Sequence, residues 1–433
     1  MKHVAYWRTM KNGWVFILFV ALPLFAGNWP QWRGPTGNGV AEEGDYPVIF
    51  SPTTGVVWRA ELPGRGSSTP VVWDNQIVLT CGIGAEDDAL DSAVCLDWKS
   101  GKTVWQVSFG KQRKGRHRRG GGSCPSPVTD GERYFVYYKS GTLAALDFEG
   151  QILWQINLQA RYGQDKLLWD LGTSPVLADH RLVVAVMQDV NSYLVAFDPA
   201  SGKELWHVPR PFEVAVESGD SYTTPLVTQQ EGRTVLVLWG AGHLSGHDAA
   251  DGRMLWSCAG FNLEHKPRWR DIASPALEGE LAIIPYGREQ FVAGVRMGGA
   301  GDITASGRLW EKRGIGSDSA TPAVANGLAY VVSVKGDLSC LSLQSGQEQW
   351  CARVAGKGAC YSSPIWARGH LYLCRDTGDV CVGRVSEGAW QPVHQTVFDD
   401  HFVASPVAVR GHLLLRGERA LWCIGPTPKK GAP

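Results

Sequence analysis

"CLDWKSGKTVW" fills residues 95–105, and 245 positions later "CLSLQSGQEQW" fills 340–350, with Cys, Leu, Ser, Gly and Trp in register. Intermediate copies stand between them: "ALDFEGQILW" at 145–154, "AFDPASGKELW" at 196–206 and "GHDAADGRMLW" at 246–256. A pattern that returns this often is an internal repeat, and the repeat decides the fold. Two landmarks bound each unit. A Ser-Pro or Thr-Pro step opens an apolar strand at Pro70, Pro127, Pro175, Pro225, Pro275, Pro322, Pro364 and Pro406. A Trp closes the unit at Trp105, Trp154, Trp206, Trp256, Trp310, Trp350 and Trp390.

Residues 322–350 show the content of one unit. "PAV", "LAYVVSV", "DLSCLSL" and "QEQW" are separated by "ANG", "KG" and "QSG", the short Gly-containing turns that join antiparallel strands. Four such strands in about 40–50 residues make a propeller blade. The high Gly (52) and Trp (19) content suits many tight turns and a recurrent aromatic. Eight prolines against seven downstream tryptophans leave one blade short of its last strand. "VVWRAEL" at 56–62, with Trp58, precedes the first Pro and supplies it. The sequence therefore predicts an all-β, eight-bladed propeller over 56–425, its ring closed by the N-terminal strand. In that ring Trp58, Trp105, Trp154, Trp206, Trp256, Trp310, Trp350 and Trp390 fill the wedges between blades.

The motif Ala-x-Asp-x-x-Thr-Gly-Lys-x-x-Trp, best matched at 95–105, 196–206 and 340–350, resembles the tryptophan-docking motif of the pyrroloquinoline-quinone (PQQ) repeat propellers. Blade five is degenerate here ("ASGRLW", 305–310), and blade seven lacks the Asp. The resemblance implies one of two branches. Quinoprotein dehydrogenases bind PQQ and Ca2+ at the ring centre and oxidise alcohols or sugars. The other branch is non-enzymatic and includes the propeller subunit of the outer-membrane protein assembly machinery. The dehydrogenases are typically longer and often carry two adjacent cysteines. None of the ten cysteines here is adjacent to another, and no clear oxygen-ligand set for Ca2+ stands out. The nearest kind is thus the non-enzymatic branch. No metal site and no cofactor are expected, and PQQ and Ca2+ enter only under the dehydrogenase alternative.

Lys2, Arg8 and Lys11 precede the apolar run at 14–26, a signal-peptide pattern over residues 1–26 that points to export into the periplasm or cell envelope. Retention of this run as an anchor is the alternative. Residues 27–55 form an entry segment, with "NWPQWRGPTGNG" at 28–39 expected to lie across the propeller, and 426–433 form a tail. Charges balance at 42 against 42, which argues against a nucleic-acid partner. The export pattern and the resemblance to the non-enzymatic branch imply a protein partner in the envelope.

Candidate site residues cluster in the loops that enter the inner strands and so ring one mouth of the channel. They are Arg65, Trp169, Asp170, Asp220, Tyr222, Arg270, Asp271, Asp318, Asp399, Asp400 and His401. Either they bind a ligand or they satisfy turn amides. A basic loop, "KQRKGRHRRGGG" at 111–122, gathers Lys111, Arg113, Lys114, Arg116, His117, Arg118 and Arg119. It reads either as a solvated, mobile loop or as a patch for an acidic protein, anionic lipid or polyanion. No other catalytic signature emerges. Cys124 in "GSCPSP" has the look of a nucleophile but aligns with the strand-opening step of blade two. Finally, a two-residue turn at Thr377-Gly378 would set Cys374 opposite Cys381, giving either a disulfide or two buried thiols.

Overall fold

The computed structural model describes residues 27–41, 44–85, 87–385 and 388–425. The segments at 1–26 and 426–433, read above as signal and tail, lie outside the described residues. Eight antiparallel sheets follow one another around a ring, each built from four main strands. The first blade shows the pattern: Val71–Trp73, Gln76–Ile83, Leu90–Asp97 and Thr103–Lys111 run from the channel outward. Most residues of the inner and middle strands are buried, and these strands are rich in Val, Leu, Ile and Ala, as sheets covered on both faces require. Outer strands alternate between exposed and covered positions.

Ring closure follows the expectation. Val56–Glu61 pairs antiparallel with Ala420–Ile424, so the eighth blade (with Val407–Val409 and His412–Arg416) is shared by residues far apart in the chain. The entry segment lies across the ring as anticipated. Trp29 bridges Val72 of blade one, the Pro30 carbonyl accepts from Thr129 of blade two, and Val40–Ala41 adds a parallel strand to Ile365–Ala367 of blade seven.

In every blade the outer strand carries a β-bulge, a residue left unpaired so that the next side chain turns toward the neighbouring blade. The bulged residues include Val57, Val104, Leu153 and Leu205, each directly before a docking Trp. Five indole N–H groups then donate to the adjacent blade: Trp58 to Trp98 O, Trp105 to Phe148 O, Trp154 to Pro199 O and Trp310 to Leu343 O at 2.9 Å, and Trp206 to Ala249 O at 3.2 Å. The receiving turns need glycine for two reasons. Gly101, for example, has φ of 68°, and a Cβ there would come within 2.5 Å of the Trp58 ring.

Two of the eight expected docking residues depart, and the receiving blade explains each. Blade five has no motif turn; its chain instead detours through Gly301–Asp302 and the short helix Thr304–Gly307. Trp256 therefore turns inward and donates to Gln230 of its own blade. In blade seven the bulge falls at Val393, so His394, not Trp390, holds the docking position, while Trp390 packs on Gly383 of its own blade. His394 meets Phe50 in the entry segment, its Nε2 2.5 Å from the Phe50 carbonyl. Residues 50–55, turned by reciprocal Ser51–Thr54 hydrogen bonds, thus replace the turn that blade eight lacks.

Cys374 and Cys381 do not face one another. Arg375 N donates to Asp379 O, which makes the loop three residues long and pairs Cys374 with Val380 and Leu373 with Cys381. Successive side chains alternate faces, so a slip of one sends the two sulfurs to opposite sides. All ten cysteines are free thiols.

Candidate functional site

The Ser or Thr before each blade-opening proline does more than start a strand. Thr69 N donates to Ser126 Oγ, Ser126 N to Ser174 Oγ, Ser174 N to Thr224 Oγ1, Thr224 N to Ser274 Oγ, Ser274 N to Thr321 Oγ1 and Thr321 N to Ser363 Oγ, all at 2.9–3.0 Å. This hydroxyl belt links blades one to seven around the channel wall. Proline suits the next position because its ring fixes φ and its missing N–H needs no partner there.

Below the belt the entry segment closes the channel. Arg33 is fully buried, and its guanidinium donates to Pro364 O and Pro322 O at 2.6 Å and to Asn38 O at 3.1 Å. Burial pushes its pKa down to about 9, still high enough to keep it charged at neutral pH. Gly39 has no room for a side chain, since a Cβ would meet that guanidinium at 2.2 Å. Trp32, beside Arg33, forms the floor of a cavity of about 370 Å³ whose wall is the hydroxyl belt.

Above the belt the mouth loops converge only in part. Trp169, Asp170, Tyr222, Arg270 and Asp318 line the cavity, joined by His117 and Arg119 of the basic loop and by Arg288 and Tyr361. Arg270 pairs with Glu217 at 2.6 Å and stacks 5.1 Å from the Trp169 ring; Arg288 pairs with Asp318 at 2.6 Å. The other six candidates serve elsewhere. Asp400 is buried and accepts N–H groups from His401, Glu418, Arg419 and Ala420, while exposed Asp399 pairs with Arg419. His401 Nδ1 lies 2.7 Å from the Asp376 carbonyl, and Arg65 pairs with Glu418. Asp271 accepts from Gly242 N, and desolvation pushes its pKa up to about 7. Asp220 accepts weakly from Asp189 N and rises to about 6, through burial first and the Asp189 charge second.

The basic loop is pinned rather than free. Asp170 Oδ1 accepts from Gly115 N (2.9 Å) and Gly122 N (3.1 Å), folding the loop over the mouth. Arg116 N donates to Leu168 O, and Lys111 pairs with Asp88 at 3.2 Å. Arg113 pairs with buried Asp165 at 3.0 Å, and Arg118 and Arg119 reach across to Asp376 at 3.5 Å. His117 meets the Tyr361 ring edge-on at 5.3 Å, and burial lowers its pKa. With Lys111, Arg113, Arg118 and Arg119 paired to carboxylates, the geometry gives a lipid or polyanion reading no support. Cys124 lines the cavity, but burial pushes its thiol up to about 11, away from the thiolate a nucleophile needs.

Sequence reasoning missed Trp32, Arg288, Tyr361 and the belt. Only the belt had a signal, since all eight blade-opening prolines follow Ser or Thr.

A closed eight-bladed ring with tryptophan-docked joints defines a PQQ-repeat propeller. More specifically, the chain belongs to the family described as outer membrane protein assembly factor BamB, whose model matches residues 90–352. Among solved structures, BamB from Moraxella catarrhalis is similar at TM-score 0.59 and 13% identity, covering 85% of this chain and 98% of that one. Quinohemoprotein alcohol dehydrogenase from Comamonas testosteroni is similar at TM-score 0.68 and 10% identity, covering 94% and 82%. A europium-containing methanol dehydrogenase reaches TM-score 0.64 at 11% identity, covering 91% and 90%. At such identities these likenesses concern the fold. No curated protein matches the chain.

Proposed function

We propose that this chain is a non-catalytic propeller of the cell envelope that holds a protein partner against its channel-mouth face. The observation that carries the reading is a platform made by two neighbouring mouth loops. Arg268 N donates to Val216 O at 2.9 Å, Ser218 Oγ to Lys266 O at 2.9 Å, and Asp271 N to Asp220 O at 3.2 Å. Zipped together, the loops lift Val216 (71% exposed) and Leu263 (79% exposed) into solvent, the two most exposed large hydrophobics among the described residues. Exposed apolar side chains on a rigid, polar-rimmed support suit a protein interface. The family's description, a factor in outer-membrane protein assembly, supports a partner of that kind. The basic and apolar leader at 1–26 supports an envelope location, and no helix among the described residues is long and apolar enough to cross a membrane.

The test is capture from an envelope fraction by wild type and by a Val216→Asp/Leu263→Asp variant. Loss of the captured protein with an unchanged melting temperature supports the reading; equal capture removes it.

The fold likeness to quinoprotein dehydrogenases favours a second reading, an enzyme using PQQ and Ca2+ in the channel. Its donor set fits poorly. Ca2+ takes about 6–8 oxygen ligands, whereas the cavity carboxylates Asp170 and Asp318 are engaged by loop amides and by Arg288. Among the described residues no cluster of three His, Cys, Asp or Glu stands ready for a metal. Mixing the protein with PQQ and Ca2+ and following dye-linked alcohol oxidation decides between the readings.

A further inference from the structure

We propose that the cavity between the hydroxyl belt and Trp32 is a binding site for a neutral, polyhydroxylated ring, a saccharide unit. This inference does not rest on the protein-docking reading, although the Arg270–Glu217 pair borders both the cavity and the platform. The cavity, about 370 Å³, falls in the size range of small-molecule pockets. It is open only toward the mouth, because Arg33 anchors the entry segment across the other end.

The charge pattern selects the ligand class. Each arginine of the lining already has a carboxylate: Arg119 has Asp376, Arg270 has Glu217 and Arg288 has Asp318. An anionic ligand must either displace one of these partners or leave it stranded in a half-buried site, which is costly. A cationic ligand meets three arginines, while Asp170 already accepts from Gly115 N and Gly122 N. A neutral ligand leaves all three pairs intact. The groups that remain are the right ones for sugar hydroxyls. Belt oxygens such as Ser126, Ser174 and Thr224 have one lone pair filled by a neighbouring blade's N–H. Each keeps its own O–H and a second lone pair, so each can donate and accept. Ser319 adds another hydroxyl to the lining. Flat apolar faces complete the site, with Trp32 below and Trp169 and Tyr361 near the mouth. Aromatic faces of this kind cover the C–H side of a sugar ring while hydroxyls meet its edge.

The test is calorimetric titration of the full chain with glucose, N-acetylglucosamine, maltose and cellobiose, alongside the charged ring analogues glucuronate and glucosamine. Intrinsic tryptophan fluorescence is read in parallel. At least one neutral saccharide should bind, at least about tenfold more tightly than its charged analogue, a difference of about 1.4 kcal/mol. Trp32→Leu should weaken binding several-fold and reduce the fluorescence change. If that variant does not fold, Ser319→Ala should weaken binding several-fold. The proposal is overturned if no neutral saccharide binds, or if glucuronate or glucosamine binds as tightly as glucose. Binding that is unaltered in a folded Trp32→Leu or in Ser319→Ala would also overturn it.

Discussion

Removing the Trp58 ring tests whether tryptophan docking, rather than the strand pairing alone, holds the ring shut. Trp58 sits on the closing strand, is only 8% exposed, donates to Trp98 O at 2.9 Å and lies against Gly101 of blade one. Truncating a buried aromatic costs about 3–5 kcal/mol, including the cavity left behind. The indole hydrogen bond accounts for about 1 kcal/mol of that loss. Trp58→Ala is thus expected to destabilise by about 4 kcal/mol, and Trp58→Phe, which keeps most of the ring, by about 1–2 kcal/mol. Trp390→Ala is the control: this residue shares the sequence landmark but packs on Gly383 of its own blade instead of holding the docking position, and should cost no more than about 1–2 kcal/mol. Equilibrium urea unfolding followed by circular dichroism gives the three values, read as midpoint shifts at constant slope. If Trp390→Ala costs as much as Trp58→Ala, or Trp58→Phe as much as Trp58→Ala, the docking account fails.

Arg33→Met strands the buried carbonyls of Pro322 and Pro364, at about 1–3 kcal/mol each, and should free the entry segment for limited proteolysis; an unchanged digestion pattern counts against the anchor. Asp271 has a folded pKa of about 7, above its unfolded value of about 3.9, so the folded state holds a proton that the unfolded chain releases and stability falls as pH rises from about 4 to 7. Asp271→Asn should therefore match wild type near pH 4 and exceed it by a few kcal/mol at pH 8, read from melting temperatures; a constant difference across pH refutes this. Arg113→Ser leaves Asp165 buried with a weakened partner set and should lower stability by about 1–3 kcal/mol, whereas Arg116→Ser, on an exposed side chain, should change it little. Because every thiol is free, dithiothreitol should not shift the melting temperature; a drop would reveal a bridge.

The architecture was legible because each blade repeats the same local solution, so the Pro and Trp landmarks could be counted. Even the departure at Trp256 had a visible cause, since the receiving motif in blade five was already broken at 305–310. Trp390 misled because a Trp near the right place outweighed the register, which a bulge at Val393 shifts onto His394. The cysteine pairing failed by one residue for a similar reason: turn length, two or three, cannot be read from Asp-Thr-Gly alone. At the mouth the sequence located the loops but not their partners. Arg118 and Asp376 are 258 residues apart, and nothing local in either stretch announces the other. Trp32 was read as part of a strap, which it is. Its place under the channel depends on Arg33 finding two carbonyls on blades six and seven.

The shared eighth blade sets the order of assembly against the order of synthesis. Between Glu61 and Ala420 lie 358 residues, so the strand that emerges early must wait for nearly the whole chain before it finds its neighbour. Until then Val56–Glu61 is an unpaired edge carrying an apolar Trp, the kind of surface that recruits wrong partners. Pairing over such a separation is also intrinsically slow. The seven belt-linked blades can be strung together one after another as they appear, each receiving its neighbour's amide. The last joint is a latch thrown once, by the final strand, and the interval before it is thrown is when this molecule is most exposed to aggregation and to proteases.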